Sequence, residues 1–177
     1  LKSIGGSAFY GTEQAHPRFK EIKIPDSVET IGTNAFHNCQ DLESITLPAS
    51  LKTIESSAFS SCCNLSKIKL PVSLTTIENS VFDGCRSLET VFYDGSLAQW
   101  SQINTSNGFL GYSSPSLVMN DYTAQFIPVK DDPFAEPIPK KTVTITKYTG
   151  KESTVILPST ISSWPVTKIG EDALKDN

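Results

Sequence analysis

The sequence has few of the residues on which catalysis and metal binding usually depend. Its 177 residues include two histidines, His16 and His37, and four cysteines. Neither histidine is followed by a second ligand at helical spacing, and neither a G-x-S-x-G motif nor a phosphate-binding loop is present. The acidic pair Asp131 and Asp132 lies in a proline-rich stretch that would not hold a general acid and base in fixed geometry. The sequence therefore predicts no catalytic residue, no metal site and no cofactor.

The chain also lacks a strongly charged region and a long apolar run. Its net charge is −4 and its sequence pI is near 5.2, so it offers no broad basic surface for nucleic acid. No segment approaches the roughly 20 consecutive apolar residues of a membrane-spanning helix. Residues 1–20 lack the basic start and apolar centre of a signal peptide. We expect no nucleic-acid partner and no direct membrane insertion of these residues, and we interpret the chain as part of a longer protein.

What the sequence does contain is a repeat with a period of 23 residues. An earlier copy, from Ile4 to Ile22, follows the same pattern with four extra residues around Gly11 to His16, which indicates a loop inserted in one turn of an array. Such repeats cannot bury their apolar faces singly and are expected to stack. The matching columns are Ile31, Ile54 and Ile77; Phe36, Phe59 and Phe82; Cys39, Cys62 and Cys85; Leu42, Leu65 and Leu88; Ile45, Ile68 and Val91; Leu47, Leu70 and Tyr93; and Pro25, Pro48 and Pro71.

Within each copy, only the segment from Ile45 to Leu47 alternates with the period of a strand. Pro48 has no N–H to donate and ends the strand, so we predict one short strand per repeat. Later apolar positions at steps of three or four predict turns and short helical pieces around residues 56–62. Successive strands would stack about 4.8 Å apart in a parallel ladder, with equivalent inner side chains lying over each other.

The cysteine column predicts three small buried side chains, Cys39, Cys62 and Cys85, that point inward in one stacked file. In-register stacking holds Cβ atoms about 5 Å apart, which is too far for a disulfide, and a parallel file does not converge on a tetrahedral metal. Cys63 aligns with polar residues in the other copies and is therefore predicted to be an exposed thiol. His37 aligns with Ser60 and Asp83 and is predicted to be solvated.

The pattern L-x-x-I-x-L-P-x-x-L-x-x-I-x-x-x-A-F-x-x-C, from Leu42 to Cys62, resembles the BspA-like (Treponema pallidum type) leucine-rich repeat. The resemblance covers residues 1 to about 95. It implies an α/β solenoid, a right-handed leucine-rich repeat coil with short parallel strands, followed by a C-terminal capping segment and the start of a second array. The implied role is adhesion or recognition by a secreted or surface-attached bacterial protein.

Four regions follow from this pattern. Residues 1–95 form the array, and residues 96–127 form a cap in which Trp100, on a short helix from Ser96 to Ile103, plugs the open end. Residues 128–140 form a proline-rich spacer. Residues 141–177 form a hairpin, in which KTVTITKY can pair with STVILP, and the first partial repeat of a second array.

The exposed side of the short strands is the candidate binding surface, because solenoids recognise partners on such ribbons. Phe92 either packs under the segment that follows it or remains as a contact anchor, and the position of that segment favours packing. We call this surface the strand ribbon. It comprises Glu21, Lys23, Ser44, Thr46, Lys67, Lys69, Thr90 and Phe92.

The absence of catalytic motifs predicts a non-catalytic module, and the resemblance implies a location at a bacterial cell surface or outside the cell. Its partners would be host or bacterial surface proteins or glycans, bound through the strand ribbon. The alternative is a structural spacer or targeting array attached to a surface hydrolase or peptidase domain elsewhere in the same polypeptide. An enzymatic role for these residues ranks third.

Overall fold

The computed structural model describes residues 1–12, 15, 17–106, 108–111, 113, 115–120, 122–128, 141–149, 160–161, 164–171 and 173–175. Over these ranges, short strands recur along the chain and stack on one another as a solenoid. The elements are β1 (Ser3–Ile4), β2 (Glu21–Lys23), β3 (Thr30–Ile31), β4 (Ser44–Thr46), β5 (Thr53–Ile54), β6 (Lys67–Leu70), β7 (Thr76–Ile77), β8 (Thr90–Tyr93), α1 (Leu97–Trp100), β9 (Asn104–Thr105), β10 (Ser116–Val118), β11 (Tyr122–Pro128), β12 (Lys141–Tyr148), β13 (Thr160–Ile161) and β14 (Trp164–Ile169).

Each repeat contributes two strands rather than the one predicted. The first ladder consists of β1, β3, β5, β7 and β9, all parallel, and Thr30 pairs with Thr53 at the 23-residue step. Its strands are Thr–Ile pairs in three successive turns, in which the isoleucine is buried and the threonine is half-buried. These strands were missed because two residues are too few to show an alternating pattern. The sequence feature that indicates them is the β-branched Thr–Ile pair, which favours the extended conformation.

The second ladder contains the predicted strands. β2 pairs with β4, and β6, β8, β10, β11, β12, β14 and β13 form a seven-stranded sheet in that order. Equivalent inner residues lie in register, as in Ile22 with Ile45 and Ile68 with Val91. The period of 23 residues is thus a structural repeat in both ladders, as predicted.

The connections between the ladders are turns, as predicted, but the short helical pieces that were predicted with them around residues 56–62 do not form. Residues 56–61 form consecutive hydrogen-bonded turns, and Ser57 and Ser61 have positive φ angles of 56° and 61°. A left-handed residue interrupts a right-handed helix, so the chain bends sharply twice in each such segment. In the described part of the chain, α1 is the single helix, and the fold is a β-solenoid almost without helix.

In two turns of the array, a carboxylate joins the turn to the one before it. The Thr33 N–H and hydroxyl donate to Oε2 of Glu55 at 2.9 and 3.0 Å. One turn later, the Ser56 N–H and hydroxyl donate to Oε2 of Glu78 at 3.0 and 2.7 Å. A glutamate from the following turn therefore accepts from backbone donors that the turn's own residues leave free.

Phenylalanine rings form a continuous stack through the interior, as the sequence predicts. The ring centroids of Phe36 and Phe59 lie 5.4 Å apart, and those of Phe59 and Phe82 lie 5.9 Å apart, with interplanar angles of 8° and 6°. Phe9 extends the stack onto Phe36 at 5.0 Å. The predicted burial is confirmed, since Phe36, Phe59 and Phe82 are fully buried.

Helix α1 follows β8 and covers the interior beside it. Ser96 caps the helix, because its hydroxyl accepts from the Gln99 N–H while the Gln99 side chain accepts from the Ser96 N–H. Trp100 is buried, as predicted, and its ring meets the edge of Tyr93 at 5.1 Å. Phe109 lies 6.2 Å from Trp100 and stacks on Trp164 at 6.1 Å. Aromatic packing therefore links the array to β14.

The C-terminal strands continue the sheet. β12 pairs antiparallel with β11 and parallel with β14. The Gly170 N–H donates to the Ile145 carbonyl at 2.8 Å, as the Gly32 N–H donates to the Ile4 carbonyl at 2.9 Å in the first turns. The STVILP partner of the predicted hairpin and residues 129–140 of the predicted spacer lie outside the described residues. The division into four regions stays a prediction.

Candidate binding surface

The strands bring the residues of the strand ribbon into two adjacent rows. Glu21 lies beside Ser44, and Lys67 lies beside Thr90 in the first row. The second row places Lys23 beside Thr46, and Lys69 beside Phe92. β4 lies next to β6, so the rows run across the four strands. Ser44 and Thr90 are half-buried and the other ribbon residues are exposed.

The rows continue beyond the residues that sequence reasoning found. Ser116 pairs with Thr90, and Val118 pairs with Phe92. The second row then passes from Val118 to Thr123 and from Thr123 to Lys147. These positions lie outside the 23-residue pattern, so only the pairing of β10 with β8 reveals them.

Phe92 does not pack under the segment that follows it, contrary to the preference stated above. Its side chain faces outward and the residue is 39% exposed. Tyr93, the next residue along the strand, points inward and contacts Trp100 of helix α1. Because neighbouring residues of a strand face opposite sides, the segment that covers Tyr93 leaves Phe92 in solvent.

The strand ribbon is positively charged although the chain as a whole is negative. With its extension, it presents Lys23, Lys67, Lys69 and Lys147 against Glu21 and against Asp94, which lies beside Lys69, whereas the net charge of the chain is −4. All of these side chains lie on exposed residues. The local charge therefore has the opposite sign to the net charge, which favours anionic partners at this face.

Lys69 has an acidic neighbour. Its Nζ lies 3.1 Å from Oδ1 of Asp94, and both side chains are more than half exposed. Exposed pairs of this kind contribute little to stability because water and salt screen them. The pair orients Lys69 beside Phe92 without removing either group from solvent.

The cysteine file is buried, as predicted. The Cys39 thiol donates to the Phe9 carbonyl at 3.2 Å, and the Cys62 thiol donates to the Phe36 carbonyl at the same distance. The Cys85 thiol repeats the contact one turn later, with the Phe59 carbonyl at 3.1 Å. All four cysteines are free.

Interactions along this file keep the Cys62 thiol protonated. Hydrogen bonds with Cys39 and Cys85, together with burial, raise the pKa of Cys62 well above its ordinary value. The thiolate is the nucleophilic form of cysteine, so this arrangement disfavours nucleophilic chemistry at Cys62.

Cys63 is less accessible than predicted. It is half-buried, and its thiol donates to the Ser61 carbonyl at 3.5 Å and the Gly84 carbonyl at 3.8 Å. Both acceptors belong to positions with positive φ, where the turn brings carbonyl groups close to the side chain. The prediction that the Cys63 thiol is exposed is therefore only partly correct, because the residue is half-buried.

His37 is half-buried, contrary to the prediction of a solvated side chain. Its ring stacks on Tyr10 with centroids 4.7 Å apart, and its Nδ1 has no hydrogen-bond partner among the described residues. Burial lowers the pKa of His37, which favours the neutral ring. His16 lies outside the described residues. Over the described ranges, no three histidine, cysteine or acidic side chains gather in a group suited to a metal ion.

No helix in the described part of the chain combines the length and the apolar character needed to cross a membrane.

The stacked short strands and the interior files of Phe, Cys, Ile and Leu define a leucine-rich repeat solenoid. Residues 2–108 match the BspA type leucine rich repeat region in six copies. The chain therefore belongs to the BspA-type leucine-rich repeat family. Among curated proteins, none matches the chain.

Solved structures of related repeats are similar to parts of this chain. A leucine-rich repeat protein from Bacteroides capillosus is 32% identical over 54% of this chain and 64% of its own, with a TM-score of 0.46. A leucine rich cell surface protein from Faecalibacterium prausnitzii is 33% identical over 61% of this chain and 34% of its own, with a TM-score of 0.42. The Treponema pallidum leucine rich repeat protein is 27% identical over 52% of each chain, with a TM-score of 0.39. The chain spans less than two thirds of each of these proteins.

Proposed function

We propose that this chain is a non-catalytic recognition module that binds protein or glycan partners at a bacterial surface or outside the cell. The observation that carries the proposal is the strand ribbon, in which side chains of differing chemistry stand in two exposed rows on hydrogen-bonded strands. Membership of the BspA-type leucine-rich repeat family supports the location. Adhesion is the role that this arrangement favours.

The binding mechanism is preorganisation. The backbone beneath the ribbon is fixed by ladder hydrogen bonds, as where the Glu43 N–H donates to the Lys20 carbonyl at 2.8 Å. The same two residues form an ion pair across the turns, with Nζ of Lys20 2.8 Å from Oε1 of Glu43. A ribbon held in this way loses little conformational entropy on contact, so more of the interaction energy remains as affinity.

Among the described residues, the buried thiols are not available as an alternative functional site. The cysteine thiols donate to backbone carbonyls, and the file that contains them is closed to solvent. The polar groups of varied chemistry lie on the strand ribbon instead. A surface that varies over a constant interior is the arrangement that repeat proteins use for binding.

Binding of the full chain to a panel of host matrix proteins, mucins and glycans tests the proposal. The ribbon variant Lys67→Glu with Phe92→Ser should lose binding to every panel member that binds the wild-type chain. The control variant Arg86→Glu with Val72→Ser makes the same chemical changes at exposed positions off the ribbon and should retain it.

Equal binding by the ribbon variant would transfer recognition to another face and overturn the proposal. If the chain binds no member of the panel, the spacer alternative is favoured. Thermal melting of each variant by circular dichroism establishes that the chain remains folded.

A further inference from the structure

The strand ribbon has one apolar spot, formed by Phe92 and Val118. The two residues lie side by side on the parallel strands β8 and β10, which are about 4.8 Å apart. Phe92 is 39% exposed and Val118 is half-buried, so together they form a continuous apolar contact area. An exposed aromatic residue beside an aliphatic one is a suitable anchor site for a partner's side chain.

Lysines lie on both sides of this spot. Lys69 pairs with Phe92 on one side, and Thr123 connects Val118 to Lys147 on the other. Lys67 adds a second exposed ammonium group in the neighbouring row. Ammonium groups donate hydrogen bonds and do not accept them, so each favours a carboxylate or another anionic acceptor.

The spacing of the lysines defines the size of the partner segment. Four strand steps of about 4.8 Å separate Lys69 from Lys147 along the second row, a distance of about 19 Å. An extended peptide covers about 3.4 Å per residue, so about six residues span the two lysines. Acidic side chains near both ends and an apolar side chain in the middle would match the surface.

A polyanionic glycan fits this pattern less well. Its carboxylates or sulfates would satisfy the lysines, but it carries no aliphatic or aromatic side chain to cover Phe92 and Val118. Covering such a spot removes apolar area from water, which favours the complex. A protein segment supplies both kinds of group in one chain.

We propose that the strand ribbon binds an extended acidic protein segment of about six residues, with its central aromatic or aliphatic side chain seated on Phe92 and Val118. The carboxylates of the segment face Lys67, Lys69 and Lys147. This inference rests on the proposed recognition function and specifies the chemistry of its partner.

Binding of the full chain to defined polymers tests the inference, with biolayer interferometry as the measurement. The probes are a random copolymer of glutamate and tyrosine, polyglutamate, the anionic glycan alginate, and polylysine. The copolymer should bind most tightly, polyglutamate and alginate more weakly, and polylysine not at all. Higher salt should weaken all anionic probes, because the contacts with lysine are exposed.

Matched variants separate the apolar contact from the charged ones. Phe92→Ser should weaken copolymer binding about fivefold and leave polyglutamate binding unchanged, since only the copolymer has a ring to place on the spot. Lys67→Glu should weaken both polymers. Val72→Ser and Arg86→Glu, the equivalent changes off the ribbon, should change neither by more than about twofold.

Equal affinity for copolymer and polyglutamate, tighter binding of alginate, or an equal loss with Arg86→Glu would overturn the inference. These failures differ from a failure of the proposed function. If the panel of matrix proteins, mucins and glycans identifies a neutral glycan or a basic protein that binds through the ribbon, the recognition function holds and the acidic-segment inference is wrong.

Discussion

The inner columns of the array and the strand ribbon follow the same 23-residue step but obey different rules. Most inner columns repeat one residue type, as in Phe36, Phe59 and Phe82, whereas the second ribbon row changes at successive turns. Stacked interior rings have fixed neighbours above and below, so a change of shape at one turn disturbs the next. Ribbon side chains face water, which tolerates any polar group. Identity in a column therefore marks packing, and variation marks surface available for recognition.

The sharpest way to break this comparison is to truncate one phenylalanine of each kind. Phe59→Ala should destabilise the chain by about 3 to 5 kcal/mol, because a buried ring stacked on both sides leaves a cavity. Phe92→Ala should cost less than about 1 kcal/mol. Urea unfolding of both variants measures the difference, and similar midpoints would contradict the separate roles of the two positions.

A smaller loss of stability is expected from substitution of Gly32, which occupies the same repeat column as Gly5. A Cβ at Gly32 would lie 2.7 Å from the Gly6 nitrogen and 2.8 Å from the Ile4 carbonyl oxygen, which are backbone atoms. Gly32→Ala should therefore cost about 1 to 3 kcal/mol through overpacking. Gly5→Ala is the control, since nothing lies within 4 Å of its Cβ, and it should leave the unfolding midpoint nearly unchanged. Equal losses would show that the turns do not approach as closely as described.

The adjacent residues Cys62 and Cys63 provide a third comparison, between a buried position of the cysteine file and a half-buried position beside it. Cys62→Ser should cost about 1 to 2 kcal/mol, because a fully buried site receives a more polar group. Cys63→Ser should stay within about 0.5 kcal/mol. In the native chain, a thiol reagent should modify Cys63 before Cys39, Cys62 and Cys85. Rapid modification of all four would contradict the closed file.

The smallest effect concerns exposed charges that join successive turns. Glu29 lies between Lys2 and Lys52, with Lys52 Nζ 2.7 Å away, and the two ammonium groups lower its pKa to about 2 from 4.5. A lowered pKa stabilises the fold above pH 4.5, and this contribution is lost as the pH falls from 4.5 towards 2.

Glu29→Gln should consequently lower the melting temperature slightly at pH 7 and have less effect near pH 2.5. Melting curves at both values, with the exposed Glu89→Gln as control, measure the change. A gap between wild type and Glu29→Gln that widens in acid would contradict the stated linkage.

Much of the interior could be predicted from the sequence because the repeat forces equivalent residues into equivalent environments. The stack of Phe36, Phe59 and Phe82, the buried cysteine file and the strands around Ile45 and Ile68 all follow from spacing alone. For residues 56–62 the sequence predicted both turns and short helical pieces, and only the turns are present, because stacked turns also bury residues at steps of three or four. Spacing does not distinguish the two, whereas the positive φ angles do.

The ribbon could be predicted only as far as the repeat extends. Its continuation through Ser116 and Val118 depends on the pairing of β10 with β8, which are separated in sequence by α1 and β9. Such a non-local contact leaves no periodic trace. The outward position of Phe92 follows from the inward position of Tyr93, which is fixed by Trp100. Local pattern alone did not decide which of the two aromatic residues the following segment covers.

The glutamate contacts between turns have a consequence for synthesis. The carboxylate that accepts from the Thr33 N–H belongs to Glu55, and the one that accepts from Ser56 belongs to Glu78. Each is translated 22 residues after its donor. During synthesis, the newest of these turns therefore lacks its carboxylate acceptor until the following turn has been translated.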